Sequence, residues 1–284
     1  MPGPAITVFA PAKLNVWLDV LGRRADGYHE LVSEFVAIDL CDTIRITPAA
    51  VDALHVAGPA SAGVPTDRGN LVWTVLDAWR DRCGDGRGWR IDLLKRIPAQ
   101  AGLGGGSSDA AAALWAANRI AGEPVDSEGQ HAICAAAGSD LNVFLAWLQT
   151  GTSRAIARGR GERVEVRPHQ PRSAIVAVPP QGVSTAALFG ALDAPPLDRQ
   201  QARPPRTDAN ALQTAAERAD PELARFRCRL QELTGQTWQM TGSGSSYFSW
   251  GKNPSSAKKS ARKLSAIGYH HVAAVRTRPP VFAT

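Results

Sequence analysis

The chain has 284 residues, 44% of them hydrophobic and 20% charged, with a formal net charge of +6. That length holds one large or two medium domains with an ample core, and the composition is ordinary for a globular protein. The positive charge is spread along the chain rather than gathered into a dense basic stripe, which argues against a nucleic-acid partner and suits an anionic small substrate.

The opening MPGPAITVFAPAKLN lacks a basic region followed by an apolar core, and apolar runs such as Val143 to Leu148 are far too short to cross a bilayer. No membrane partner is expected. The four cysteines (Cys41, Cys83, Cys134, Cys228) are widely separated and form no C-x-x-C pair. A disulfide framework or zinc site is therefore not expected, and a cytoplasmic location is.

In chain order, Ile6 to Val20 alternates as a half-buried strand, broken at Pro11-Ala12-Lys13. Asp26-Gly27 marks a turn, and Phe35 to Ile46 returns as strand, interrupted at Cys41-Asp42. A polar loop with Gly58, Gly63 and Pro65 leads to a helix over 70–82, then a strand over 89–96.

Gly102, Gly104, Gly105 and Gly106 then run through Ser107 and Ser108 into an alanine-rich helix that ends near Gly122-Glu123-Pro124. A second helix, 127–137, stops at Gly138. Ser139-Asp140 precedes the apolar stretch 141–148, and 154–166 reads as a hairpin around Gly159-Arg160-Gly161.

The proline-bearing segment 167–172 is the candidate domain boundary. Beyond it come a buried strand (173–178), a helix (185–192), a proline-rich loop (194–205) and helices over 210–219 and 221–234. A strand, a second glycine loop (Thr241 to Ser245), a strand to Trp250, a basic helix (255–267) and a last strand (271–277) finish the chain. No internal repeat is visible, and the element order argues for an α+β protein.

The stretch IPAQAGLGGGSSDAAAALWAA, from Ile97 to Ala117, carries the chemistry. Glycine lets backbone amides approach a ligand without a Cβ in the way. The helix that follows adds unsatisfied N–H groups and a partial positive charge, so the two make an anion cradle. Asp109 is expected in the helix's first turn. The plainer alternative is a surface loop capped by Ser107 or Ser108. A Walker loop fails because Gly106 is followed by Ser107 rather than Lys, and a dinucleotide fingerprint from Gly102 fails because position 107 is serine.

Pro11-Ala12-Lys13-Leu14-Asn15, Asp26-Gly-Tyr-His-Glu-Leu31, the 98–110 loop, Gly138-Ser-Asp140 and Thr241-Gly-Ser-Gly-Ser together resemble the GHMP small-molecule kinases, and among them the 4-diphosphocytidyl-2-C-methyl-D-erythritol kinases. The resemblance covers nearly the whole chain in order. It implies a two-domain GHMP-kinase-like α+β architecture, with a ribosomal-protein-like N-terminal domain over 1–168 and a ferredoxin-like C-terminal domain over 169–284.

The implied reaction moves the γ-phosphoryl of ATP onto the 2-hydroxyl of a cytidine diphosphate-linked methylerythritol in non-mevalonate isoprenoid biosynthesis. ATP is the implied co-substrate and Mg²⁺ is expected. Lys13 and Asp140 match the catalytic pair. Pro98, Ala99, Gln100, Ala101, Gly102, Leu103, Gly104, Gly105, Gly106, Ser107 and Ser108 match the ATP phosphate loop. Asn15, Tyr28, His29, Thr185 and Phe189 match substrate contacts, with Gly242, Ser243 and Gly244 beside them.

Tyr28 and Phe189 are expected to sandwich a flat base, and Ser107 or Ser108 is a candidate Mg²⁺ ligand, although no metal ligand is assigned. Taken singly, each residue has a plainer reading. Asp140 is a turn or N-cap aspartate, Lys13 a strand lysine reaching solvent, Tyr28 a core tyrosine, His29 a surface histidine and the second glycine loop a hairpin turn. The competing functions are a GHMP-type kinase for another alcohol and a non-catalytic RNA-binding module.

The chain also departs from the family pattern. Gln100 stands where glycine is usual, Asn142 replaces a proline, and 145–153 is longer than usual and keeps only Gly151 of a glycine pair.

Overall fold

The computed structural model describes residues 4–180, Leu188, Leu192 and 209–283. Two long strands, β1 (Ile6–Arg23) and β2 (His29–Ala49), make an antiparallel hairpin closed by the Asp26-Gly27 turn. The expected break at Pro11 does not occur. Pairing shifts instead: Pro11 faces Cys41 and Ala12 faces Ile38, so Asp39 and Leu40 are looped out of that register. A bulge of this kind lets a residue with no N–H sit inside a ladder. It also replaces the interruption expected at Cys41-Asp42.

Around the hairpin stand β3 (Ala53–Ala57), β4 (Gly88–Leu94), β5 (Arg154–Gly159), β6 (Arg163–Arg167) and β11 (Val281–Ala283), giving a seven-stranded sheet. The later half of β2 pairs with β4 and its earlier half with β5. β3 and β11 were not foreseen. Both are short: β11 has three residues, all exposed, and β3 has five, of which only Leu54 is buried, too few to show a period.

Four helices complete this part of the fold: α1 (Leu71–Cys83), α2 (Gly105–Ile120), α3 (Ser127–Ala137) and α4 (Leu141–Thr150). Their apolar sides join the sheet in one core that includes Val8, Ile44, Ile91, Trp79, Leu114 and Trp147. Alanine is the best helix former and adds little bulk. The run Ala110–Ala113 therefore lets α2 lie buried at the middle of that core.

The second sheet holds β7 (Ser173–Ala177), β8 (Gln239–Met240), β9 (Tyr247–Gly251) and β10 (Val272–Arg276), all antiparallel in the order β10-β7-β9-β8. With α5 (Gln213–Ala219) and α6 (Pro221–Thr234) between β7 and β8, and α7 (Pro254–Ala266) between β9 and β10, this is the ferredoxin-like arrangement. The helix expected from 210 starts later because Asn210 is taken up in a bridge to Leu18 and bonds the Met240 and Gly242 carbonyls.

A third apolar cluster fills the seam between the two sheets. Leu14 and Ile38 of the hairpin, Ala101 and Leu103 of the glycine loop, and Val176 and Phe248 of the second sheet meet there. The loop is thus anchored by its own apolar residues. β11 then carries the chain end back to β1, where Thr7 to Phe9 pair with Val281 to Ala283. The elements expected over 185–192 and 194–205 fall almost wholly outside the described residues.

Candidate active site

The glycine loop is fixed first by its backbone. The Lys13 amide donates to the Leu103 carbonyl at 3.0 Å, and the Ser246 amide donates to the Ala101 carbonyl at 3.1 Å. Gly102 has φ +70, and a Cβ there would lie 2.5 Å from the Gly244 carbonyl oxygen and 2.6 Å from that of Thr241. Only glycine lets the two glycine loops touch in this way.

The N-cap of α2 is Gly104, not Ser107 or Ser108, and the first intrahelical bond runs from the Ser108 amide to the Gly104 carbonyl. The amides of Gly105, Gly106 and Ser107 therefore precede that ladder, as an anion cradle requires. Asp109 lies beyond the first turn, contrary to expectation.

Lys13 and Asp140, from β1 and from the entry to α4, meet beside that cradle. The Lys13 Nζ is 3.8 Å from Asp140 Oδ2 and donates to Asn15 Oδ1 at 2.6 Å. Asp140 occupies the N-cap position of α4, but its side chain makes no capping bond. The plainer N-cap reading holds for its position but not for its side chain. Lys13 is buried, with 4% of its side chain exposed, against 31% for Asp140. Burial pushes the ammonium's pKa below its ordinary value, and the Asp140 carboxylate only partly opposes that.

Asn15 is fixed in turn. Its amide donates to Thr241 Oγ1 at 2.9 Å and its Nδ2 to Ser33 Oγ at 2.7 Å. A Cβ on Gly242 would lie 2.6 Å from Lys13 Nζ, so the second glycine loop is more than a hairpin turn.

These groups line one cleft of about 1620 Å³. That exceeds the roughly 300–1,000 Å³ of a typical single-ligand pocket and suits two ligands side by side. Its walls include Pro98 to Gly102, Gly104 to Ser107, Asn15, Tyr28, His29, Gly242, Ser243 and Gly244. Leu103 and Ser108 are not part of the lining: Leu103 points into the seam, and the Ser108 hydroxyl is buried with no partner among the described residues. Thr185 and Phe189 lie outside the described residues.

A family model for the N-terminal domain of GHMP kinases matches residues 70–147. The 4-diphosphocytidyl-2-C-methyl-D-erythritol kinase of Protochlamydia amoebophila is 36% identical over 253 residues, covering 87% of this chain and 85% of that protein. The chain belongs to that kinase family.

A crystal structure of a 4-(cytidine 5'-diphospho)-2C-methyl-D-erythritol kinase, 34% identical, superposes with a TM-score of 0.76 over 96% of this chain and 99% of that one. Homoserine kinase from Cytophaga hutchinsonii, 18% identical with a TM-score of 0.69 over 98% and 97%, shares the fold. The chain is an ATP-dependent small-molecule kinase with the two-domain α+β architecture of the GHMP kinases.

Its departures from the family pattern have structural counterparts. Gln100 holds φ +53, a left-handed backbone that normally favours glycine. Asn142 is buried, and its Oδ1 lies 2.8 Å from Nδ1 of His131, so the pair ties α4 to α3 where a proline would stiffen the turn. The lengthened 145–153 segment continues α4 to Thr150 and ends on Gly151 at φ +68.

Sequence reasoning missed a buried ionic cluster under the loop. Lys95 Nζ bonds Asp42, and bonds Asp109 Oδ2 at 2.6 Å, while Asp42 Oδ1 accepts from the Ile97 amide at 2.9 Å. Burial, and then the neighbouring Asp42 charge, push the Asp109 carboxyl up to about 7. For Lys95, burial is outweighed by the two carboxylates, which raise its pKa. Sequence spacing gave no cue, because Asp42 reaches Lys95 only through the paired β2 and β4.

Proposed function

We propose that this chain phosphorylates the 2-hydroxyl of 4-diphosphocytidyl-2-C-methyl-D-erythritol with ATP. The observation that carries the reading is the Lys13–Asp140 pair, held beside a glycine-loop cradle, in a member of this family. Phosphoryl transfer asks the protein mainly for positioning and charge stabilisation.

In this reading the 98–108 loop holds the ATP phosphates, with the Gly105, Gly106 and Ser107 amides ahead of the α2 ladder. Asp140 takes the proton of the substrate hydroxyl as its oxygen attacks the γ-phosphorus. The bond from that phosphorus to the bridging oxygen breaks, and ADP leaves. Lys13 offsets charge growing on the transferred group and holds Asp140 toward it. Asn15, Tyr28, His29 and Gly242 to Gly244 take the nucleotide substrate, with Thr185 and Phe189 as further contacts.

Mg²⁺ is expected with the nucleotide, and this hard cation takes oxygen ligands. The donors that fit it are hard oxygens: the Ser107 hydroxyl on the cleft wall, and the Ser108 hydroxyl, which is buried and lacks a partner among the described residues. Bound there, Mg²⁺ would neutralise phosphate charge. The domain division is read as 1–168 and 169–284, with β11 returning to the first sheet.

The deciding experiment is an ADP-release assay comparing this substrate with galactose, mevalonate and homoserine. Strong preference for the cytidine diphosphate ester is the expected result. Equal or better turnover of another alcohol makes the chain a different GHMP kinase. RNA binding without ATP turnover makes it a binding module.

A further inference from the structure

Arg23, Arg160, Lys13, Lys95 and His29 are the basic side chains on the cleft wall. Lys13 is paired with Asp140, and Lys95 with Asp42 and Asp109. Among the described residues, Arg23 and Arg160 make no ion pair, so the cleft wall carries two guanidinium groups with no carboxylate bonded to them.

Arg160 is the better placed of the two. Its guanidinium stands 3.7 Å from the centroid of the Tyr28 ring, stacked on one face of a tyrosine that is 51% exposed. Asp26, which feels the Arg160 charge, is bonded to Arg24 instead.

The turn that presents Arg160 is built to stay in place. Gly159 is the last residue of β5 and pairs with Leu31, close to the Tyr28–His29 turn. The Arg160 amide donates to the Glu162 carboxylate. Gly161 has φ +103, and a Cβ there would fall 1.8 Å from the Ser139 carbonyl oxygen. One side of this turn thus touches the residue before Asp140, and its central side chain lies on Tyr28.

We propose that Arg160 is a specificity residue for the anionic half of the substrate, holding the diphosphate of a cytidine diphosphate ester whose base stacks on the remaining face of Tyr28. This rests on the function proposed above. In such an ester the diphosphate separates the base from the reacting alcohol, and Arg160 stands between Tyr28 and the Asp140 segment. A stacked guanidinium keeps its N–H groups at the rim, free to bond phosphate oxygens in a bidentate fork. It also means that Tyr28 offers a base one open face rather than two.

The test compares cytidine diphosphate with cytidine as competitors of the full substrate in wild type, Arg160→Gln and Arg160→Lys. Arg160→Gln is expected to weaken cytidine diphosphate about tenfold, as for loss of a charge-assisted hydrogen bond, and cytidine less than about threefold. Arg160→Lys is expected to recover part of the loss, and KM for ATP to stay unchanged. Equal weakening of both competitors, or of neither, overturns the proposal. Absence of turnover of the cytidine diphosphate ester by wild type would sink the function reading instead, and calorimetry with the two competitors would still judge Arg160.

Discussion

The Lys13 ammonium lies 3.8 Å from the Asp140 carboxylate and 2.6 Å from Asn15 Oδ1, while Asp140, at the head of α4, leaves that helix uncapped. A capping bond is typically worth about 1 kcal/mol. Forgoing it keeps the carboxylate turned toward Lys13 and the cleft.

Asp140→Asn keeps the shape and removes the proton acceptor. Turnover is expected to fall by about 10²–10⁴-fold, the usual contribution of a general base, with ATP affinity within about twofold of wild type. Steady-state ADP release and calorimetric ATP titration check this. A variant at near wild-type rate would falsify the base assignment.

Lys13 works as a cation, and burial lowers its pKa from the ordinary 10.5. The alkaline limb of the kcat profile is therefore expected to fall at a pH below 10.5, as the ammonium loses its proton. A profile flat through that pH, with the fold intact by circular dichroism, would show that the charge on Lys13 is not needed.

Gly242→Ala adds a Cβ 2.6 Å from Lys13 Nζ at a residue with φ +59. The left-handed backbone costs an alanine about 1 kcal/mol, so the melting temperature is expected to drop by a few degrees. The obstructing atom ends a flexible side chain, so the fold yields by moving Lys13, and kcat is expected to fall at least about tenfold. Loss of stability with kcat unchanged would refute the link between this glycine and Lys13.

Tyr28→Ala removes the exposed aromatic platform. Base stacking is worth about 1–3 kcal/mol, so KM for the cytidine substrate is expected to rise about tenfold while KM for ATP stays put. If only the ATP side responds, Tyr28 serves the other substrate.

Asp109, buried under the loop, has a carboxyl raised to about 7. The folded protein therefore holds a proton that the unfolded chain releases near pH 4. The stability this group contributes is full below about pH 4 and is lost as pH rises through about 7. The stability of Asp109→Asn relative to wild type is expected to climb across that window by on the order of 1 kcal/mol or more. Urea unfolding of both proteins from pH 4 to pH 8 measures it, and a constant difference would mean the carboxyl is not raised.

The sequence by itself determined the periodic and punctuated parts. Alternation marked β4, a short apolar run marked the buried β7, Gly138 ended α3 where expected, and the glycine run opened α2. Local rules govern these features, because period, propensity and turn chemistry act within a few residues. The PAKLN, DGYHEL and GLGGGSSDA stretches named the family for the same reason, since their order along the chain is enough.

Tertiary structure decided what depends on residues far apart. Pro11 stays inside β1 because the partner strand loops out Asp39 and Leu40. β11 exists because β1 offers it an edge, and Asp42 becomes a clamp for Lys95 only once β2 and β4 lie side by side. Lys13 turns inward and Asp140 turns from its helix because packing brings an ammonium and a carboxylate together on the wall of one cleft. No local propensity encodes that meeting; the energy that fixes it appears only when the chain has closed around both.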